Sequence, residues 1–147
     1  HENKSYGPFT GFVNSYMLKN IGAQYVILGH SENREKGESD KLINQKIKSA
    51  LEAKLKVIFC IGESLTEKRK KMTTKILSKQ IKIGLDKIKN KSNIFIAYEP
   101  IWAIGSGITP KSKDLFETIK FVKSKFNPGV LSIVNPTIFA GVWINGK

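Results

Sequence analysis

The stretch IFIAYEPIWAIGSGITP, residues 94–110, joins a short apolar run to a loop that contains a tryptophan and two glycines. The run at 94–98 is continuous and rich in β-branched and aromatic residues, which is typical of a strand buried on both faces of a parallel sheet. Glu99 and Pro100 follow it directly. The sequence therefore predicts a buried strand that ends in a carboxylate, just before a loop with a bulky residue and a permissive backbone.

Two other apolar runs have the same character, YVILG at 25–29 and KVIFCIG at 56–62. Apolar residues at three- and four-residue steps lie between the runs and predict amphipathic helices. The predicted helices cover 15–21 with Gly22 just beyond the end, 42–55, a continuous helix from Ser64 through Ile88 with a capping-box glutamate at Glu67, and a helix from about Ser112 to Phe126 that includes Phe116 in its apolar stripe.

Alternating strands and helices predict an α/β fold with a parallel sheet and right-handed crossovers. No linker, repeat or low-complexity tract interrupts the chain, so we expect a single domain over residues 1–147. Both a doubly wound sheet and a (β/α)8 barrel fit this pattern. In either fold, functional residues lie at the C-terminal ends of the strands.

Composition narrows the class of protein. The 147 residues carry a net charge of +13, and the basic residues are almost all lysine, interleaved with apolar positions along predicted helices. Arginine is scarce and no basic strand is rich in aromatic residues, which argues against specific nucleic-acid binding. No apolar run reaches the roughly 18 residues of a membrane span. Cys60 is the single cysteine, so we expect no internal disulfide and a reducing compartment.

The predicted strands present His30, Glu63 and Glu99 at one rim of the sheet. His30 precedes Ser31 and Glu32 as at a helix N-terminus, where an imidazole is expected to stay neutral and donate a hydrogen bond to a carbonyl oxygen. Its alternative is a purely structural hydrogen bond at the junction. A carboxylate covered by a loop gains basicity, so Glu99 is a candidate base, with a salt-bridged rim residue as the alternative.

Two other polar or reactive residues at the strand ends have plainer interpretations. Glu63 lies beside the predicted cap at Ser64 and is expected to anchor its loop. Cys60 is expected to pack in the core, because no histidine lies near it in sequence to activate the thiol.

Taken together, the stretches YVILGHSENR, CIGESL and AYEPIWAIGSGITP closely resemble the triosephosphate isomerase family, in the family's order and at near-native spacing over residues 3–126. The resemblance implies an incomplete (β/α)8 TIM barrel, a single partial domain over 1–147 in which 127–147 diverge. The implied activity is the interconversion of dihydroxyacetone phosphate and glyceraldehyde 3-phosphate in cytoplasmic glycolysis and gluconeogenesis.

The resemblance also implies roles for particular residues. It makes Glu99 the catalytic base, His30 the neutral electrophile, and Ser31 and Glu32 supporting residues. Thr10 matches the loop through which family members form homodimers. The implied phosphate-binding lid comprises Pro100, Ile101, Trp102, Ala103, Ile104, Gly105, Ser106 and Gly107. The substrate is a small triose phosphate, and we expect no metal, no cofactor, no membrane contact and no specific nucleic-acid partner.

The chain departs from the family in length, since such a barrel takes about 250 residues. The family's Asn-x-Lys element is absent, and residues 127–147 keep Asn135 and Pro136 without the family's Gly-Gly-Ser. We therefore expect the isolated chain to be inactive or weakly active. The alternative function is a non-catalytic half-barrel that binds partners through its lysine-rich surface.

Overall fold

A computed structural model describes residues 2–4, 7–104, 106 and 108–126, and the backbone of 132–133. Its sheet contains four parallel strands, β1 (Tyr25–Leu28), β2 (Lys56–Ile61), β3 (Ile94–Tyr98) and β4 (Ser132–Ile133). The first three confirm the strands predicted from the apolar runs. β4 lies within 127–147, and the rest of that segment, with Asn135 and Pro136, falls outside the described residues.

The strand order distinguishes between the two folds that the sequence left open. The described strands are hydrogen-bonded in the order β1-β2-β3-β4, so each strand pairs with its neighbours in sequence. A doubly wound sheet reverses its strand order at a switch point, whereas a barrel keeps sequential strands adjacent. The described sheet therefore has the topology of part of a (β/α)8 barrel, with parallel strands alternating with helices.

Six α-helices and one 3-10 turn connect the strands in the described residues. They are α1 (Ser15–Asn20), α2 (Ser31–Glu35), α3 (Asp40–Glu52), α4 (Leu65–Arg69), α5 (Thr73–Gly84), a 3-10 turn (Ile101–Ala103) and α6 (Ser112–Lys125). α1 ends as predicted, with Gly22 at a φ of 92° just beyond it. α3 and α5 pack against each other and against the sheet.

The single helix predicted from Ser64 to Ile88 is wrong, because the structure has α4 and α5 there. The capping box at its start is present, with the Ser64 N–H donating to Glu67 Oε2 at 2.8 Å. Lys71 then adopts a φ of 56°, and the Met72 N–H bonds back to the Glu67 carbonyl. This left-handed residue ends α4 in the manner of a Schellman turn.

Phe116 was predicted to lie in the buried stripe of α6, and this is also wrong. Its side chain is 68 % exposed, whereas Val122 on the same helix is buried. Successive residues are about 100° apart around an α-helix. Phe116 is therefore turned away from Leu115, which packs against the core together with Val122.

The sheet has two unlike faces. Val57, Phe59 and Ile61 of β2 face the helices and form the main core with Ile43 and Ile47 of α3. The opposite face corresponds to the interior of a barrel, and its buried residues in the described chain form a small cluster. That cluster contains Ile58, Cys60 and Ala97, packed against Phe95.

Cys60 packs as the sequence predicted. The thiol is fully buried, and burial raises its pKa well above the ordinary value. A thiol held in its protonated form is a poor nucleophile, so Cys60 contributes packing here.

The buried position of Ile47 and the exposed position of Phe116 lead to a stability prediction. Ile47→Ala should lower the free energy of unfolding by about 2–5 kcal/mol, because it leaves a cavity at a fully buried site. Phe116→Ala is the control and should change it by less than about 0.5 kcal/mol, as at an ordinary exposed site. Urea unfolding followed by circular dichroism measures both, and equal losses would contradict the assigned core.

Candidate active site

His30 is placed at the rim by the glycine that precedes it. Gly29 ends β1 with a φ of 76°, and a Cβ there would lie 3.0 Å from the Cys60 carbonyl oxygen. This conformation and this close contact both favour glycine. His30 is the N-cap of α2, and its Nδ1 accepts a hydrogen bond from the Glu32 N–H at 3.4 Å. Since Nδ1 accepts, the neutral ring carries its proton on Nε2.

Glu99 lies at the end of β3, next to His30. Its N–H donates to the Ile61 carbonyl at 2.8 Å, which continues the sheet by one residue. Its Oε1 lies 3.0 Å from His30 Nε2 and accepts a hydrogen bond from Ser31 Oγ at 2.9 Å. The residue is only 3 % exposed. Three side chains from two strand ends thus meet at one buried carboxylate oxygen.

Burial dominates the electrostatics of this carboxylate. It raises the pKa of Glu99 above the ordinary carboxyl value, while His30, the Ser31 hydroxyl and Arg34 hold the rise back. A carboxylate with a raised pKa is a stronger base than one in water. The site therefore offers a proton acceptor in contact with the imidazole of His30.

The segment predicted to form a lid begins immediately after Glu99. Pro100 leads into the 3-10 turn, and Trp102 at its centre donates its indole N–H to Glu63 Oε1 at 3.0 Å. The Lys68 ammonium lies 4.3 Å from the centroid of the same ring. Trp102 is thereby held by contacts with a carboxylate and a cation. Of the other predicted lid residues, Ile101, Ala103, Ile104 and Ser106 lie in the described chain, and Gly105 and Gly107 fall outside it.

Glu63 anchors its loop as the sequence suggested, but through a larger set of contacts than a cap requires. The side chain is fully buried, and the Tyr98 hydroxyl lies 3.1 Å from both carboxylate oxygens. Burial and the Glu63 charge raise the pKa of Tyr98, which keeps its hydroxyl protonated as a donor. Glu63 therefore connects the end of β2 with the end of β3 and with the 3-10 turn that contains Trp102.

Two residues that sequence reasoning missed fix the backbone of the rim. Arg34 donates through Nε to the Gly29 carbonyl at 2.6 Å, and its guanidinium also bonds Asp40 and the Cys60 carbonyl. Gln80 of α5 is buried and bonds both backbone groups of Gly62. The sequence offered one signal for a buried Gln80, namely that this polar residue stands next to Ile81, which belongs to the apolar stripe of α5.

Other predicted residues are not brought to the site by their side chains. Glu32 is exposed and contributes its backbone N–H to His30. Thr10 lies in an exposed turn, away from the strand ends.

Within the part of the chain that is described, no group of His, Cys, Asp and Glu side chains could hold a metal ion. Over those same residues, no helix has the length and apolar character needed to cross a membrane.

The fold and the site together define a class. Parallel strands in sequential order, with polar side chains converging at their C-terminal ends, are the arrangement of enzymes built on a (β/α)8 barrel. A family model described as triosephosphate isomerase matches residues 1–138. The chain belongs to the triosephosphate isomerase family, whose fold is this barrel.

Individual relatives agree with the family match. A triosephosphate isomerase of Alkaliphilus metalliredigens is 42 % identical over 135 residues, which cover 87 % of this chain and 54 % of the relative. One of Carboxydothermus hydrogenoformans is 47 % identical over 120 residues, 80 % of this chain and 48 % of the relative. One of Clostridium tetani is 45 % identical over 121 residues, 80 % and 48 % of the two chains. The chain spans about half the length of these curated relatives.

The raised pKa of Glu99 predicts a pH-dependent effect on stability. A carboxyl whose folded-state pKa is raised contributes stability that is present below its unfolded pKa and is lost as the pH rises through the folded value. Glu99→Gln removes that loss, so the variant should be more stable than the wild type at about pH 7. The advantage should shrink as the pH falls toward the ordinary carboxyl pKa. Urea unfolding across this range measures it, and a variant less stable than the wild type at neutral pH would contradict the assignment.

Proposed function

We propose that this protein interconverts dihydroxyacetone phosphate and glyceraldehyde 3-phosphate, an aldose–ketose isomerisation of glycolysis and gluconeogenesis. The reaction needs a base for a proton next to a carbonyl and a donor for the carbonyl oxygen. The observation that carries the proposal is the contact of 3.0 Å between Glu99 Oε1 and His30 Nε2, in a site where the carboxylate is buried. A substrate bound between Glu99 and His30 would contact both side chains at once.

In the proposed mechanism, Glu99 removes a proton from C1 of the ketose. The electron pair of that C–H bond forms the C1–C2 double bond, and the carbonyl π pair moves to the C2 oxygen, giving an enediolate. His30 donates its Nε2 hydrogen bond to that oxygen. The protonated Glu99 then returns the proton to C2, and a proton moves from the C1 oxygen to the C2 oxygen. The base ends in its original state, and no external oxidant or co-reactant is required.

The described conformation corresponds to a resting state of this mechanism. His30 Nε2 and Glu99 Oε1 lie 3.0 Å apart, which leaves no room for a substrate atom between them, so Glu99 must move away from His30 before chemistry. Pro100 links the base directly to the turn that carries Trp102, so closure of the lid can move Glu99 as well. Closing lids exclude water, and the loop of triosephosphate isomerase is itself a known example. We propose that the lid residues 100–107 grip the substrate phosphate in this way.

We further propose a cytoplasmic homodimer for the complete protein. Thr10 lies in an exposed turn, and Phe12, Val13 and Met17 close to it are large apolar side chains that are at least 45 % exposed. A cluster of exposed apolar side chains marks an interaction surface, here one suited to a second copy. No cofactor, metal or nucleic acid takes part in the proposed reaction.

The isolated chain is expected to turn over weakly or not at all. Ile27, on the face of β1 that carries the barrel-interior cluster, is 41 % exposed, so water reaches that face beside β1. Enediolate stabilisation depends on a water-excluded site, where each hydrogen bond is stronger than in solution. An exposed flank weakens that stabilisation.

A coupled assay with glyceraldehyde 3-phosphate tests the function on the 147-residue chain. Any turnover should fall by about 10²–10⁴-fold in Glu99→Gln, because the general base is lost. Glu35→Gln is the matched control, since this exposed carboxylate of α2 has no role in the proposed site, and it should leave the rate unchanged. Turnover that survives Glu99→Gln would contradict the proposal.

Binding supplies a second readout in case turnover falls below detection. Phosphoglycolate carries a carboxylate and a phosphate and resembles the enediolate, so it should shift the NMR signals of the His30 ring. In the wild type it should also shift the Trp102 indole signal. That signal should not move when phosphoglycolate is added to His30→Gln. Absence of both turnover and analogue binding would contradict the proposal.

A further inference from the structure

We propose that Gln80, a residue of α5 on the helical side of the sheet, is a positioning residue for this site. Its amide is buried, accepting from the Gly62 N–H at 3.0 Å and donating to the Gly62 carbonyl at 2.9 Å. One side chain thereby fixes both backbone groups of a single glycine. The inference rests on the proposed role of Glu99 as the base.

Gly62, the residue after β2, lies close to the backbone of Glu99. A Cβ on Gly62 would lie 1.8 Å from the Glu99 carbonyl oxygen, so the position of Gly62 limits where the Glu99 backbone can lie. The residue before Gly62 accepts the Glu99 N–H, at 2.8 Å. The residue after it is Glu63, which holds Trp102 of the lid. The backbone at Gly62 thus contacts the base and leads directly to the lid anchor.

The amide is the functional group that this place requires. β2 ends at Ile61, and both the N–H and the carbonyl of Gly62 bond to Gln80. A buried backbone group without a partner costs about 1–3 kcal/mol. An uncharged amide supplies one acceptor and a donor together, whereas a hydrocarbon supplies neither. Gln80 therefore sets the position of Gly62 from the side of the helix.

A second buried amide in the same layer allows packing and positioning to be separated. Asn44 of α3 donates to the carbonyls of Gly84 and Asp86 at 2.9 and 3.0 Å. It is buried to the same extent as Gln80, at 7 % exposure against 8 %. Its partners lie at the end of α5 rather than at the strand ends. Loss of the Asn44 amide should weaken the fold without altering the site.

The experiment compares Gln80→Met with Asn44→Leu in the 147-residue chain. Both variants should lose stability, measured by urea unfolding, because each loses buried hydrogen bonds. Only Gln80→Met should shift the NMR resonance of the Trp102 indole N–H and the titration midpoint of the Glu99 carboxyl. Where turnover is measurable, kcat should fall roughly tenfold to a hundredfold with KM nearly unchanged, as for a misplaced base.

Gln80→Glu covers the case in which Gln80→Met fails to fold. At about pH 5 a buried carboxyl is protonated and offers both a donor and an acceptor, so the Trp102 resonance should match that of the wild type. Once this carboxyl ionises at higher pH it has no donor, and the resonance should then depart from that of the wild type at the same pH.

Three results would overturn the positioning role. They are an unmoved Trp102 and Glu99 in Gln80→Met, an equal shift in Asn44→Leu, or a Gln80→Glu variant that stays identical to the wild type after its own carboxyl has ionised. Because the NMR signals do not depend on turnover, these failures differ from a failure of the proposed isomerase activity.

Discussion

The contact of 3.0 Å between His30 Nε2 and Glu99 Oε1 is the interaction on which the rest of the site depends. A carboxylate that is 3 % exposed is costly to keep ionised unless donors surround it. The Ser31 hydroxyl donates to this carboxylate and His30 Nε2 lies 3.0 Å from it, and burial still raises the pKa of Glu99 above its ordinary value. The same balance that strains the fold gives the proposed base its strength. The raised pKa of Glu99 lowers the stability of the fold at neutral pH and makes the proposed base stronger.

This pair can form because two non-sequential strands end at one rim. β1 and β3 both pair with β2, so the residues after them are brought near each other across it. Glycines permit the approach, with Gly29 turning the chain into α2 and Gly62 leaving space for the Glu99 carbonyl. Side chains from the helical layer then hold the backbone of the rim, Arg34 at Gly29 and Gln80 at Gly62. The site is thus supported from outside the sheet as well as by its strands.

Some of this was accessible from the sequence and some was not. Three continuous apolar runs predicted β1, β2 and β3, and the polar residues after them pointed to His30 and Glu99, because period and position are local signals. The break at Lys71 was missed, since a lysine in a left-handed conformation leaves no mark in an otherwise helical pattern. Gln80 and Glu63 bond to residues that are distant in the sequence, and no local sequence pattern predicts such contacts. The resemblance to a family implied roles for His30 and Glu99. The supporting contacts of Gln80 and Glu63 are visible only in the three-dimensional structure.

The most direct test of the central contact is the tautomer of His30, read by ¹⁵N NMR of its ring nitrogens near neutral pH. The described geometry predicts a proton on Nε2, since Nδ1 accepts the Glu32 N–H and Nε2 faces Glu99. We expect a pyrrole-type shift at Nε2 and a pyridine-type shift at Nδ1, with Nε2 perturbed in Glu99→Gln. A ring protonated on both nitrogens, or on Nδ1 alone, would contradict this account.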